Sequence, residues 1–230
     1  MRQDAIAILG GTGDQGLGLA LRFAKAGRPV VIGSRKLERA EEAAAAVRKE
    51  IPDGEVEGLV NEDAAGRAPI VILSVPFEHF ASTVKGIRDN LAEGQIVVSM
   101  GVPLATAIGD GAVRTVGIWQ GSCAELVKSL VPAGVQVVSA FQNVPAQRLQ
   151  HLAEQVDCDV LVSGARVPRE RVMELCELVP GLRAVNAGPL ANARIVEAIT
   201  ALLIGLNARY KVSEGLGIRI TGLPDSDSSR

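Results

Sequence analysis

The stretch Gly10-Gly11-Thr12-Gly13-Asp14-Gln15-Gly16 decides the fold of this chain. It follows a short apolar run, Ala5–Leu9, that is typical of a buried strand, and it opens a segment with helical periodicity. Gly11, Gly13 and Gly16 make a G-x-G-x-x-G pattern at this strand-to-helix turn. Glycine is needed there because the turn is tight and the backbone must approach a pyrophosphate closely. The pattern predicts a dinucleotide site, against the alternative of a glycine-rich turn without a ligand.

Apolar runs alternate with helix-period segments along most of the chain. The runs are rich in Val and Ile without polar alternation, which is typical of parallel strands covered on both faces. This alternation predicts a Rossmann-type doubly wound α/β fold with a mostly parallel sheet. The predicted strands are Ala5–Leu9, Val30–Ile32, Ile70–Leu73, Ile96–Ser99, Gln136–Ala140, Val160–Val162 and Arg183–Asn186. The predicted helices are Gly16–Ala26, Leu37–Glu50, Glu78–Leu91, Ser122–Val131, one that starts at Pro168 and a long one over Leu190–Tyr210.

The second predicted strand ends in a hydroxyl and two cations, Ser34, Arg35 and Lys36. An NAD site usually places an Asp or Glu here, about twenty residues past the glycine loop, to bind the ribose hydroxyl. The residues present, with Arg39 one helical turn beyond Arg35, instead suit a 2′-phosphate. Two charged hydrogen bonds of this kind favour NADP over NAD by roughly a hundredfold or more. The sequence therefore predicts NADP, against the alternative of a solvated basic helix start.

Side chains suited to covalent or acid–base catalysis are scarce. His79 and His151 have neither metal-ligand spacing nor an obvious Ser or Cys partner, so no metal site is predicted. Cys123, Cys158 and Cys176 fall in or beside apolar elements and are interpreted as core residues. A reaction that only passes a hydride between two bound carriers needs proximity, orientation and exclusion of water. The carboxylates interpreted as lying on solvated helix faces are Glu41, Glu42, Glu93 and Glu125.

Composition argues against several classes of protein. The net charge of −2 over 230 residues, with scattered Lys and Arg, implies neither nucleic acid nor an anionic membrane as partner. Three cysteines without a CxxC pair indicate a reducing compartment, and no signal-peptide segment precedes the first strand, so we expect a cytoplasmic protein. The longest apolar stretch, Ile195–Leu206, is interrupted by Glu197 and Thr200. It is shorter than the ~20 residues that span a bilayer, so we expect a buried helix.

Several further segments resemble one known family. They are Asn61-Glu62-Asp63-Ala64-Ala65, Val75-Pro76-Phe77-Glu78-His79, Asn186-Ala187-Gly188-Pro189-Leu190-Ala191-Asn192-Ala193-Arg194 and Glu214-Gly215-Leu216-Gly217-Ile218. Together with the glycine loop and Gly33-Ser34-Arg35, they resemble the coenzyme F420-dependent NADP oxidoreductases, also called NADPH:F420 reductases. The resemblance extends to about Leu223 and implies an enzyme that passes a hydride between NADP(H) and the deazaflavin of F420. It also implies a homodimer, for which the long apolar helix is a candidate surface.

The resemblance implies a set of contacts for each carrier. For NADP(H), Thr12, Gly13, Asp14 and Gln15 line the pyrophosphate, Ser34, Arg35 and Arg39 hold the 2′-phosphate, and Val75, Val102 and Ala146 line the nicotinamide side. The deazaflavin stacks against the nicotinamide and is covered by the region around Gly188, Pro189 and Leu190.

One departure from the family pattern concerns the acceptor. Family members often carry a His-Thr pair where this chain has Gln142-Asn143, just before Pro145-Ala146. A glutamine can hydrogen-bond a deazaflavin ring but cannot titrate, so any proton comes from solvent or another group. Two alternatives therefore stay open beside the leading hypothesis. One is an NADPH-dependent reductase of a flavin-like carrier or a small imine or keto compound, and the other is a non-catalytic NADP-binding protein.

Two domains are expected along the chain. Residues 1–150 make the NADP-binding Rossmann domain. Residues 151–230 make a smaller C-terminal α/β segment that ends in the long apolar helix and covers the deazaflavin site. The Ser/Asp-rich tail, 224–230, is expected to be disordered.

Overall fold

The computed structural model describes residues 4–223 and has one mostly parallel sheet of eight strands. The strands are β1 (Ile6–Leu9), β2 (Val30–Ser34), β3 (Val56–Val60), β4 (Ile70–Leu73), β5 (Ile96–Ser99), β6 (Gln136–Ser139), β7 (Cys158–Gly164) and β8 (Leu182–Asn186). Their order in the sheet is β3-β2-β1-β4-β5-β6-β7-β8. Strands β1 to β6 are parallel, β7 is antiparallel to β6, and β8 is parallel to β7. The predicted Rossmann-type doubly wound fold is confirmed, since its usual order is 3-2-1-4-5-6.

Helices cover both faces of the sheet. They are α1 (Asp14–Lys25), α2 (Leu37–Glu50), α3 (Asn61–Ala65), α4 (Phe77–Ile87), α5 (Cys123–Leu130), α6 (Ala146–Gln150), α7 (Arg166–Cys176) and α8 (Ala193–Tyr210). Strand β1 shows why both faces need cover. Ile6 and Ile8 pack into one apolar cluster, and Ala7 and Leu9 pack into a second cluster on the opposite face. Burial on both sides explains the continuous apolar runs in the sequence.

Two local features differ from the sequence prediction. Strand β3 was not predicted because it lies at the sheet edge and reads Val56-Glu57-Gly58-Leu59-Val60, with only Val56 buried. The seventh helix begins at Arg166, so Pro168 lies within its first turn and does not start it. Proline is tolerated there because the N–H groups of the first turn have no intrahelical partner. The tail 224–230 lies outside the described residues.

Helix α8 is less buried than expected. Ile195 and Leu202 are 59% and 61% exposed. Within Leu190–Tyr210, only 28% of the apolar 18-residue stretch is buried. The expectation of a buried helix is therefore wrong for its outer face. The segment Leu190–Tyr210 is long and apolar enough to cross a membrane, and core helices of soluble proteins can have the same length and composition. Its inner face is polar at Glu197, Thr200 and Asn207, each of which bonds to another part of the chain.

Strands β7 and β8 extend the same sheet beyond β6. The predicted division of the chain near residue 150 falls at the end of α6, just before this extension. The division into two domains stays a prediction. The site elements come together at the carboxyl edge of β1, β4, β5 and β6, where open parallel sheets bind their ligands.

Candidate functional site

The glycine turn joins β1 to α1 by close backbone contacts. Gly10 has a φ of +76°, and a Cβ on it would lie 2.4 Å from the Ser74 carbonyl oxygen at the end of β4. A Cβ on Gly16 would lie 2.7 Å from the Gly11 Cα. Glycine at both positions therefore lets the helix pack onto the turn, and Gly16 is one of the predicted site residues. Helix α1 is preceded by Gly13, which has no side chain to cap it, so its first N–H groups are available for an anion.

A first hollow of about 500 Å³ lies over the ends of β1 and β2, and we call it the cationic hollow. Ser34, Arg35 and Arg39 line it, as the NADP prediction required. Thr12 and Gly13 line its other side. Arg35 and Arg39 are exposed, so their guanidinium groups can pair with a phosphate without a large desolvation cost. Lys36 and Asn61 also line this hollow, and Asn61 was not predicted.

A second hollow of about 380 Å³, the central hollow, lies over β4, β5 and β6. Val75 and Val102, the residues expected beside the nicotinamide, line it together with Met100. Gln142 and Thr200 close it from the loop after β6 and from α8. The lining thus combines apolar side chains with polar and charged ones, which suits a flat aromatic ring that carries an amide edge.

A third hollow of about 400 Å³, the outer hollow, lies between α6 and α8. Ala146 lines it, and so does Asn143. The chain after α8 also lines it, from Val212 to Leu216. Helix α8 adds apolar side chains to the lining of this hollow, among them the buried Leu203.

The three hollows form a row. Val75 lines both the cationic and the central hollow, while Asp14, Gln15, Gln142 and Thr200 line both the central and the outer hollow. The structure therefore brings together the predicted phosphate, nicotinamide and Gln142 positions. The linings of these hollows do not include Gly188, Pro189 or Leu190, which lie between β8 and α8.

Gln142, where the central and outer hollows meet, and Asn143, in the lining of the outer hollow, each carry a buried acceptor without a partner in the described part of the chain. Gln142 donates from Nε2 to the Ser99 carbonyl oxygen at 2.9 Å and to Ser139 Oγ at 2.6 Å. Its Oε1, like the Oδ1 of Asn143, has no hydrogen-bond partner among residues 4–223, although the two side chains are only 4% and 2% exposed. A buried acceptor without a donor costs free energy, so both positions fit a ligand that carries N–H groups. The deazaflavin and nicotinamide amides are such ligands.

The residue before Gln142, Phe141, has a strained backbone conformation. Phe141 has a φ of +71°, a left-handed conformation that bulky residues rarely adopt, and its side chain is buried against Phe23 in an edge-to-face contact. Its carbonyl oxygen accepts a hydrogen bond from Gln15 Nε2 at 2.8 Å, and the Val144 carbonyl accepts a second at 3.2 Å. Gln15 thus ties the start of α1 to the loop after β6, on both sides of Gln142 and Asn143.

Thr200, like Asn61, lines the site but was not predicted. Its Oγ1 donates to the Gln142 carbonyl oxygen at 2.9 Å, which joins α8 to the loop after β6. The signal was present, because Glu197 and Thr200 interrupt an apolar run with the spacing of one helix face.

Comparison with known proteins gives consistent results. Residues 5–103 match the family model described as NADP oxidoreductase, coenzyme F420-dependent. The chain is 51% identical over 223 residues to the F420-dependent NADP reductase of Methanocaldococcus jannaschii, covering 95% of this chain and 98% of that protein. It is 46% identical over 226 residues to the F420-dependent NADP reductase of Methanothermobacter thermautotrophicus, covering 96% and 97%.

Solved structures share the fold. A protein from Arthrobacter sp. FB24 superposes with a TM-score of 0.74 at 21% identity, over 95% of this chain and all of that one. An imine reductase from Bacillus cereus gives a TM-score of 0.61 at 16% identity, over 90% of this chain and 62% of that one. Identities this low establish the fold alone, whereas the archaeal relatives are similar over nearly their whole length. This chain belongs to the family of coenzyme F420-dependent NADP oxidoreductases.

Proposed function

We propose that this chain catalyses hydride transfer between NADP(H) and coenzyme F420. The observation that carries the proposal is the row of hollows, in which the central hollow shares Val75 with the cationic hollow and Gln142 with the outer hollow. Two carriers bound at the two ends of such a row meet in the middle. The relatives named F420-dependent NADP reductase support the same activity.

NADP(H) occupies the cationic and central hollows in this proposal. Thr12, Gly13, Asp14 and Gln15 hold the pyrophosphate at the start of α1, while Ser34, Arg35 and Arg39 hold the 2′-phosphate. Val75 and Val102 lie against the nicotinamide, and Ala146 lines the adjoining outer hollow.

The deazaflavin lies on the side of Gln142 and the outer hollow. The unsatisfied Gln142 Oε1 accepts a hydrogen bond from an N–H of the ring system. Gly188, Pro189 and Leu190 remain predicted covering residues, and they lie outside the linings of the hollows. Contact between them and F420 therefore requires that the ring or its substituents reach beyond the outer hollow.

The bound carriers supply the redox chemistry when they pass a hydride between them. The residues of this chain bind and orient the carriers, and the apolar walls of the central hollow exclude water. Gln142 holds its position by donating to Ser99 and Ser139, and its amide neither gains nor loses a proton near neutral pH. Any proton that accompanies the transfer comes from solvent or from a group other than Gln142.

A second copy of the chain covers the outer face of α8 in this proposal. Ile195 and Leu202 lie seven residues apart on one helix face, and the exposed Val113 lies near Gly205 of the same helix. Exposed apolar faces of this kind are typical of subunit interfaces. Leu202→Glu is expected to convert a dimer into a monomer in sedimentation velocity, and a wild-type monomer would refute the dimer.

Because all three cysteines are free and buried thiols, we also propose that the protein is cytoplasmic.

The decisive experiment follows NADPH absorbance with purified protein, with and without coenzyme F420. Loss of NADPH that depends on F420 is expected, and NADH should be a much poorer donor. Turnover of a flavin or a small imine, with F420 left unreduced, would instead identify another acceptor. Tight NADPH binding without turnover of any acceptor would favour a non-catalytic NADP-binding protein.

A further inference from the structure

The chain after α8 folds back over the outer hollow and then runs along β7. We call residues 212–220 the strap. Its first part, Val212 to Leu216, lines the outer hollow. Its second part contacts β7, where the Asp159 N–H donates to the Ile218 carbonyl oxygen at 2.8 Å. A Cβ on Gly217 would lie 2.7 Å from the Cys158 Sγ, so the strap approaches β7 as closely as a glycine allows.

One buried carboxylate anchors the second part of the strap. Asp159 is 0% exposed, and its Oδ1 accepts from Arg219 Nη1 at 2.7 Å while its Oδ2 accepts from the Ile220 N–H at 2.6 Å. Arg183 on β8 donates to both carboxylate oxygens, at 2.8 and 2.7 Å. Burial alone would raise the pKa of Asp159, but the hydrogen bonds from Arg183, Ile220 and Arg219 outweigh it and bring the pKa to about 2. The anchor is therefore charged at every physiological pH.

The same residue is tied to the opposite wall of the outer hollow. Asn143 Nδ2 donates to the Asp159 carbonyl oxygen at 2.6 Å, and Asn143 itself lines the hollow. Asp159 thus fixes the distance between the loop after β6 and the strap, although it is not among the residues that line the hollow.

The part of the strap that lines the hollow is held more weakly. Leu216 N–H donates to Asn207 Oδ1 at 2.9 Å, and Arg148 Nε donates to the Gly215 carbonyl oxygen at 3.2 Å. The ion pair between Arg148 and Glu214 is 3.7 Å long and half exposed, so it adds little. The Val212 N–H also donates to the Asn207 carbonyl oxygen at 3.0 Å. This wall is thus tied to α6 and α8 by single hydrogen bonds, whereas the carboxylate of Asp159 holds the other end of the strap with two.

We infer that Asp159 is a positioning residue for the hydride acceptor, which acts by holding the strap through Arg219 and Ile220 so that the outer hollow keeps its shape. The inference rests on the proposed function, because it assigns the outer hollow to F420. It predicts a selective effect: loosening the strap weakens F420 binding and leaves NADP(H) binding at the cationic hollow unchanged.

The test uses Arg219→Gln, which removes the guanidinium of the strap from Asp159 and also from Asp157 and the Gly181 carbonyl oxygen, all of which lie at or beside β7 and β8. It is compared with Arg209→Gln, at an exposed arginine of α8. F420 fluorescence titrations give the Kd for the acceptor, and NADPH fluorescence titrations give the Kd for the donor. For Arg219→Gln we expect an F420 Kd raised about tenfold, an unchanged NADPH Kd, and faster hydrogen exchange in residues 212–220. Arg209→Gln should match the wild type in all three, and Arg219→Lys should restore part of the affinity.

A second variant moves the strap without changing any charge. Gly217→Ala places a methyl group against Cys158 and should lift the strap from β7, with the same selective loss of F420 affinity. Faster exchange of the strap with an unchanged F420 Kd would overturn the inference alone, and so would equal losses for F420 and NADPH. A wild-type protein that binds NADPH but not F420 would overturn the proposed function, and the inference would fall with it.

Discussion

The Glu197 carboxylate on α8 accepts a hydrogen bond from the backbone N–H of Cys123, at 2.9 Å, and this contact fastens α8 to the start of α5. A second N–H, that of Ala124, donates to the same carboxylate at 3.1 Å. Glu197 is 1% exposed. Burial raises its pKa to about 7, although both N–H groups act in the opposite direction. Burial also raises the pKa of the neighbouring Cys123 thiol, which therefore stays neutral beside the carboxylate.

Glu197 should make stability depend on pH. Because its folded pKa of about 7 lies above the ordinary 4.5, its contribution is greatest below pH 4.5 and is lost as the pH rises through 7. We expect the unfolding free energy of the wild type, relative to Glu197→Gln, to fall by up to about 3 kcal/mol between those limits. Urea unfolding of both proteins across this range measures the difference. If the unfolding free energies of the two proteins changed in parallel with pH, Glu197 would not titrate between pH 4.5 and 7.

Arg35→Ala should separate the two nicotinamide cofactors. The exposed guanidinium lines the cationic hollow, in which the proposed function places the 2′-phosphate of NADP(H), a group that NADH lacks. We expect the KM for NADPH to rise about ten- to a hundredfold, because a charged hydrogen bond contributes about 1.5–3 kcal/mol, while the KM for NADH changes little. Steady-state kinetics with both cofactors measures this, with Lys49→Ala at the other end of α2 as control. Equal losses for NADPH and NADH would refute the assignment of the 2′-phosphate.

Arg22 should be important for stability. This buried arginine of α1 donates to the carbonyl oxygens of Arg148, Leu149, His151 and Glu154, at 2.7 to 2.9 Å, and so holds the end of α6. Arg22→Met keeps most of the apolar volume but removes the guanidinium donor from all four carbonyl groups, of which that of His151 keeps a backbone donor, the Glu154 N–H at 3.1 Å.

We expect Arg22→Met to lower the unfolding free energy by about 3 kcal/mol, measured by urea denaturation. Lys25→Ala is the control, since Lys25 is exposed and makes a single hydrogen bond, to the Leu152 carbonyl oxygen at 2.7 Å. A loss of unfolding free energy as small as that of the control would mean that water bonds to the carbonyl groups in place of the guanidinium.

Gln142→His should introduce a titration that the wild type lacks. The side chain is buried at the junction of the central and outer hollows and cannot ionise as glutamine. A histidine there should make kcat/KM for F420 change with pH around the ordinary histidine pKa of about 6.5, shifted by its surroundings. The wild type and the exposed control Gln155→His should show no such transition. A flat profile for Gln142→His would place the residue away from the reacting carriers.

The sequence predicted most of the nucleotide half because its signals are local. The glycine loop, the second strand and the cations of Ser34–Arg39 lie in one short βαβ unit, where spacing fixes what faces the ligand. Strand β3 escaped prediction because an edge strand that mixes Glu57 and Gly58 with apolar residues has no clear pattern. Helix α8 was misjudged because its composition is apolar while its inner face uses Glu197 and Thr200.

By itself, then, the sequence determined the doubly wound fold, the preference for a 2′-phosphate and, through long similar segments, the family. Only the tertiary structure decided what lies around the central and outer hollows. Gln142, Thr200 and the strap are far apart in the chain, and they meet because Thr200 of α8 bonds to the loop after β6 while the strap folds back along β7. Contacts of this kind depend on burial and hydrogen bonding across the fold, such as the bonds of Asp159 to Arg219 and Ile220. No periodicity or local spacing in the chain encodes them.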